Sequence, residues 1–289
     1  MNKIPKFTDN GIEYIDLDTL EQKISSINEN RLYHFTSFDN FIKIWLSKSL
    51  LFSKREGMND IAEKEDIITG NNLAKMMAYL YAVREYKQIS LSNAKVIHSN
   101  KKGTAIYQSP LMWGIYARNA TGICIEFDKE KLLSKLSLGC IKSKEIQYLP
   151  YIPNNCLIKD LNIGSIKTIN DARHIVDNHI DEIFFTKYDE WRFENEYRLI
   201  SRESAKLDIE GLITRIFIYN GDSNQNQMLL NLISNQVEIK VAFLSCIFKD
   251  SRYINTYTLK ENPTSYNNNS WEIEFERMLL TDQINKSNE

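Results

Sequence analysis

The chain predicts an α+β fold, one in which helices are inserted among many strands rather than alternating with them. Three observations carry this. Apolar residues at Phe38, Phe41, Ile42, Trp45 and Leu46 fall at helical spacing. Segments such as "TGICIEFD" and "VAFLSCIFK" are short apolar runs of strand length. The order of these elements shows no regular strand–helix–strand alternation and no internal repeat.

Taken in order, residues 1 to 30 read as a polar lead-in with one short helix, "DTLEQKISSI". Residues 31 to 36 alternate as a strand, and Ser37 is placed to cap the helix over 38 to 48. "LLFSK" reads as a strand, "REGMNDIAEKED" as a charged loop and "NNLAKMMAYLYAVREY" as an amphipathic helix. "QISLS" is a short strand, followed by the polar loop "NAKVIHSNKKGTA". "SPLMWGIYARN" reads as a helix with Pro110 in its first turn. After the strand "TGICIEFD", "GCIKSKEIQYL" is another strand and "IKTINDARHIVDNHIDEIFFTK" one long helix. "FENEYRLIS" and "LITRIFIYN" are strands, "NQMLLNLISNQ" a helix and "VAFLSCIFK" a buried strand. The expected organisation is a single domain over 31–250, then a hairpin around "SYNNNS" and a disordered tail within 251–289.

The chain has 289 residues, a net charge of −2 and 43% hydrophobic residues, enough for a sizeable core. Near-neutral charge argues against coating nucleic acid by bulk electrostatics but leaves room for a local basic groove. Cys124, Cys140, Cys156 and Cys246 stand far apart, and with four histidines they form no zinc pattern. No metal is expected, and reduced thiols suit a cytoplasmic protein. The start has no signal-peptide h-region, and no run of about 18 apolar residues occurs, so no membrane span is expected.

Two stretches hold residues able to do chemistry. The first is His34-Phe35-Thr36-Ser37 at a strand–helix junction: a structural histidine beside a cap, or the edge of a ribose site. The second is "EWRFENEYRLIS". Strand alternation there puts Glu194, Glu196 and Arg198 on one face and Phe193, Tyr197 and Leu199 on the other. Carboxylates two residues apart on a strand lie roughly 7 Å apart at their Cα atoms. Repulsion would then raise the pKa of one of them. The alternative is a solvated edge balanced by Arg198. Lys187 and Trp191 read as anchors of the loop into this strand, and Lys54-Arg55 as a loop pair able to meet a pyrophosphate. "HSNKKG" is a basic loop, and "GMND" a turn with a helix cap.

An E-x-E on a strand and a His-x-Thr ending an early strand resemble the signatures of the ADP-ribosyltransferase superfamily. "NEYRLI" is similar to the glutamate strand of its poly-ADP-ribose polymerase branch, and "LYHFTSFDNFIKI" to the opening of its DNA-modifying bacterial toxins. "LYHFTS", "MND", "SLS", "LMWGIYARNATGICIEFD" and "KYDEWRFENEYRLI" together resemble a bacterial family catalogued as a domain of unknown function. The superfamily resemblance implies a split, curved sheet with inserted helices and NAD as cosubstrate. It implies that His34 bonds the adenine-side ribose and that Thr36 supports the ribose or the start of the helix. Phe35 stands where glycine is commoner, with its backbone facing the nicotinamide amide. Tyr116, or Trp113 one turn earlier, would stack on nicotinamide. Ser90 and Ser92 either face the cleft or pair a sheet edge, and Ser92 is counted with the NAD-binding residues. Glu196 resembles the catalytic glutamate, and Glu194 the acid that orients the acceptor. The implied activity is transfer of ADP-ribose to a macromolecule, protein or nucleic acid, by a toxin or anti-phage effector with an antitoxin as partner. The alternatives are an NAD glycohydrolase and an inert nucleotide- or nucleic-acid-binding module on the same fold.

Overall fold

The computed structural model describes residues 3–8, 11–16, 29–57, 72–94, 105–136, 141–150, 163–219, 228–229, 232, 239–246, 253–259 and 273–279. The readings made for the loops around 58–71 and 95–104, for the helix at 18–27, for most of the helix at 226–236, for the turn "SYNNNS" and for the tail beyond 279 lie outside these residues.

In chain order the strands are β1 (Lys3–Thr8), β2 (Gly11–Asp16), β3 (Arg31–Thr36), β4 (Ser49–Leu51), β5 (Ser53–Lys54), β6 (Lys87–Asn93), β7 (Ile123–Asp128), β8 (Ile141–Glu145), β9 (Gln147–Leu149), β10 (Thr186–Tyr188), β11 (Glu196–Ser201), β12 (Lys206–Asp208), β13 (Ile213–Tyr219), β14 (Lys240–Cys246), β15 (Tyr253–Leu259) and β16 (Ile273–Leu279). The helices are α1 (Phe38–Ser47), α2 (Leu73–Arg84), α3 (Pro110–Ile115), α4 (Lys129–Leu136), α5 (Ile169–Asn178) and α6 (Ile180–Phe184). The α+β class is what the structure has, with mostly antiparallel strand pairs.

The chain forms two compact units. One holds residues 1–47, 92–131 and 210–289, and the other 48–91 and 132–209. In the first, the strand order is β16-β15-β14-β13-β7-β3, antiparallel except for the parallel pair β13/β14. The last residues of β6 add to this: Ser92 pairs with Tyr33, and Asn93 with Leu32. β1 and β2 pair as a hairpin inside what reads as a polar lead-in. The Asp-Asn-Gly run between them is the missed turn signal.

The core of this unit is aromatic. Tyr107 stacks on Phe217 with ring centroids 4.5 Å apart, and Tyr33 closes on both rings. α1 buries Phe41 and Trp45, one turn apart, which is the stripe its spacing predicts. Burial of each such side chain contributes about 2–3 kcal/mol. The Ser37 hydroxyl accepts the Asn40 N–H at 3.3 Å and so starts α1, as its position predicts. Gly122 fixes the junction between β3 and β7. A Cβ there would lie 2.2 Å from the Thr36 carbonyl oxygen and 2.9 Å from that of Ala117, so only hydrogen fits.

In the second unit β11 lies between β6 and β8, and β5 pairs with the start of β6. Two small pairs accompany them, β4/β12 antiparallel and β9/β10 parallel. α2 and α5 pack together over a core that includes Tyr79, Val83, Tyr86, Val176, Ile183 and Phe184. α2 is capped by Asn72, whose side chain accepts the Lys75 N–H. α5 starts in a reciprocal box: Thr168 accepts the Asp171 N–H and Asp171 accepts the Thr168 N–H.

Four expected elements are corrected. The helix expected over 109–119 ends at Ile115, because Arg118, Asn119 and Ala120 all take positive φ and wind the chain back onto Gly114, Trp113 and Ala117. The single helix at 166–187 is two helices broken at His179, and Thr186–Tyr188 leaves helical form to pair with β9. The strand over 139–149 divides at Ile146, whose N–H turns to the Glu196 carbonyl. The strand expected from Phe193 begins only at Glu196, since Asp189–Glu194 form a 3-10 turn and Asn195 has φ 41°.

Candidate functional site

The turn that precedes β11 shapes the chemistry. Glu194 is not on the strand face with Glu196. It reaches the same place from the preceding turn, and a lysine joins the two. Lys187 on β10 puts Nζ 2.7 Å from Glu194 Oε2 and 2.9 Å from Glu196 Oε2. Arg198, two residues along β11, forks onto Glu196, with Nε 2.7 Å from Oε1 and Nη2 2.8 Å from Oε2. Its remaining arm donates to the Phe184 carbonyl at 2.7 Å. Two carboxylates and two cations thus close on each other, and all four side chains are at most 6% exposed.

The local sequence makes this geometry. Asn195 takes the left-handed turn that asparagine tolerates better than most residues, which swings Glu194 off the strand line. The Glu196 N–H donates to the Tyr148 hydroxyl at 2.8 Å, and the Lys187 ammonium sits 5.4 Å from the Trp191 ring centroid. Trp191 thus anchors the loop, as its position suggests.

The charges decide the ionisation. Burial by itself pushes the Glu196 carboxyl up. Arg198 and Lys187 outweigh it, and a hydrogen bond from the Ser90 hydroxyl adds to them, so the group is held well below the usual carboxylate range. The expectation that repulsion raises one of the two carboxyls is therefore overturned for Glu196. The solvated-edge alternative is overturned as well, since Glu196 is 2% exposed. Burial raises the Tyr148 phenol above its ordinary value, so it stays protonated beside the carboxylate.

Ser90 and Ser92 part company. Ser90, inside β6, is the serine bonded to Glu196, whereas Ser92 is buried where β6 meets Tyr33 of β3. Tyr148 carries no sequence signal, because it lies 48 residues from Glu196 and sits in a strand of three residues. For Lys187 the signal is present but ambiguous: a lone lysine before an acidic turn.

His34, Phe35, Thr36, Ser92, Trp113 and Tyr116 lie in the first unit, and Glu194 and Glu196 in the second. His34 is half-buried on β3, opposite Ile125 of β7. The Phe35 ring turns into the core and meets the Trp113 ring edge-on at 5.4 Å. Trp113 is buried and donates Nε1–H to the Tyr107 carbonyl at 2.7 Å. Tyr116 is half-buried at the end of α3, the more open of the two aromatic candidates. Thr36 is buried, and its carbonyl is the group that abuts Gly122.

Among the described residues no group of three or more His, Cys, Asp or Glu side chains could hold a metal ion, and no helix is long and apolar enough to cross a membrane. Residues 112–199 match the family model described as "Protein of unknown function (DUF2971)". The match contains Trp113, Tyr116, Tyr148, Lys187, Glu194, Glu196 and Arg198, while His34, Ser90 and Ser92 fall outside it. No curated protein and no solved structure matches the chain.

Proposed function

We propose that the protein is an ADP-ribosyltransferase-like enzyme that uses NAD as cosubstrate, with Glu196 as its catalytic carboxylate. The observation that carries this reading is a buried glutamate held ionised by Arg198 and Lys187. When the nicotinamide–ribose bond breaks, nicotinamide leaves with the bonding electron pair and positive charge builds on C1′ of the ribose. A carboxylate bonded to the ribose 2′-hydroxyl stabilises that cation more than the ground state. The logic parallels the carboxylates of glycosidases and needs no metal. An acceptor oxygen or nitrogen then bonds to C1′ and loses its proton. In this reading Glu194 orients the acceptor, His34 takes the adenine-side ribose, Thr36 and Ser92 support it, and Tyr116 stacks on nicotinamide. A macromolecular acceptor, and a role as a toxin or anti-phage effector with an antitoxin, belong to the same proposal. Water as the acceptor makes it an NAD glycohydrolase.

One observation favours a second reading. Both Glu196 oxygens are engaged by Arg198, and one also by Lys187, as in a charge cluster that only holds strand and turn together. The inert module predicts no NAD turnover at all. Nicotinamide release from NAD by the purified protein separates the two, run beside Glu196→Gln and Glu196→Asp with folding checked by circular dichroism. Release lost in the folded Gln variant and partly kept in the Asp variant supports the enzyme. No release by the folded wild type, with or without cell lysate, sinks it.

A further inference from the structure

Within the second unit, apart from the Glu196 cluster, lies a cleft of about 650 Å³. Its lining includes Lys54, Arg55, Arg84, Lys87, Arg173 and Arg202. Glu85 is the one carboxylate among these lining residues: Arg173 binds it through Nε at 3.0 and 3.1 Å, and Arg202 Nε stands 3.5 Å away, while Arg202 Nη2 pairs with Asp177 at 2.5 Å. A chain with net charge −2 has gathered six cations around one concavity.

Two features show that these cations are built in rather than scattered. Lys54 and Lys87 are directly opposite each other on β5 and β6, an arrangement of like charges that costs stability unless an anion sits between them. Arg55 is buried to 9% exposure with its guanidinium 5.2 Å from the Phe184 ring centroid, and Arg202 stacks over Tyr86 at 4.6 Å. Stacking on rings holds the planar guanidinium forks in place at the cleft. Tyr81, 60% exposed, offers an open aromatic face at the same cleft. Clustered cations beside an exposed ring suit phosphate groups attached to a base.

We infer that this cleft binds the phosphates of a nucleotide chain, with Lys54 and Lys87 clamping a phosphate and Tyr81 stacking on a base. Two sources carry this chemistry, a single-stranded nucleic acid and a free nucleoside polyphosphate. The inference does not rest on the NAD reading of Glu196, and its test contains no NAD.

The test is fluorescence polarisation of a short labelled single-stranded oligonucleotide titrated with the full chain, with unlabelled ATP and inorganic tripolyphosphate as competitors. If about four phosphates are neutralised, affinity falls roughly fiftyfold between about 50 and 200 mM salt. The Lys54→Gln/Lys87→Gln double variant should bind at least about tenfold more weakly and with a shallower salt slope, while its thermal midpoint stays level or rises because the opposed charges are gone. That opposite movement of binding and stability separates a site from a misfolded variant. Competitors that fail to displace the oligonucleotide identify a nucleic-acid strand as the ligand. Displacement by ATP at comparable phosphate concentration identifies a free nucleotide. Absence of binding by oligonucleotide, ATP and tripolyphosphate at low salt overturns the inference, and so does unchanged affinity in the double variant.

Discussion

Glu196 illustrates how far a residue's neighbours override its burial. Taking a carboxylate out of water favours its neutral form, yet Arg198 and Lys187 reverse the sign. The consequence for stability has a definite direction. The folded-state pKa lies below the unfolded value of about 4.3, so the contribution is fully present above that pH and is lost as pH falls below it. Thermal unfolding followed across the acid range should show the midpoint dropping below about pH 4. Glu196→Gln should lower the neutral-pH midpoint and flatten that drop. An unchanged acid slope in the variant would mean that Glu196 is not ionised by its neighbours. Arg198→Met removes one partner and leaves buried Glu196 under-compensated, at a cost of about 3–5 kcal/mol in denaturant unfolding. Gly122→Ala acts through backbone instead. Its methyl meets the Thr36 carbonyl at a distance no contact permits, and the expected loss is about 3 kcal/mol. Full stability in that variant would show that the β3–β7 junction is softer than its geometry.

At the scale of elements, side-chain pattern and capping chemistry were legible because they act locally. β3 falls on the residues its alternation predicts, and α1 starts at the cap its serine predicts. The broken long helix shows where that reading ends. Nothing within "DARHIVDNHIDEIFFTK" demands a stop at His179. What ends the second helix at Phe184 is β9, distant in sequence, which claims Thr186–Tyr188 as a partner. The strand at Glu196 starts late for a similar reason, since turn geometry at Asn195 prevails over the alternation of its neighbours. Thr168→Ala removes half of the box that starts α5 and should cost about 1 kcal/mol, while Thr168→Ser should cost much less. Equal losses would assign the effect to the methyl group rather than the hydroxyl.

For the whole molecule, net charge misleads and distribution informs. A total of −2 gives no hint that six cations converge on one cleft, because they come from β5, the turn after it, α2, β6, α5 and the segment after β11. The candidate site was legible to a similar degree. Glu194, Glu196 and Arg198 stand out in one short stretch. Tyr148 and Ser90 join them only through strand pairing across tens of residues. The match over 112–199 takes in the carboxylates and their cations but neither His34 nor the serines of β6. The measurement that bears most directly on the account is therefore nicotinamide release from NAD, wild type beside Glu196→Gln, with and without lysate. The account predicts release that requires Glu196, with labelled ADP-ribose retained on a macromolecule when lysate is present. A folded wild-type protein that releases no nicotinamide under either condition, or a Glu196→Gln variant as active as wild type, would contradict it.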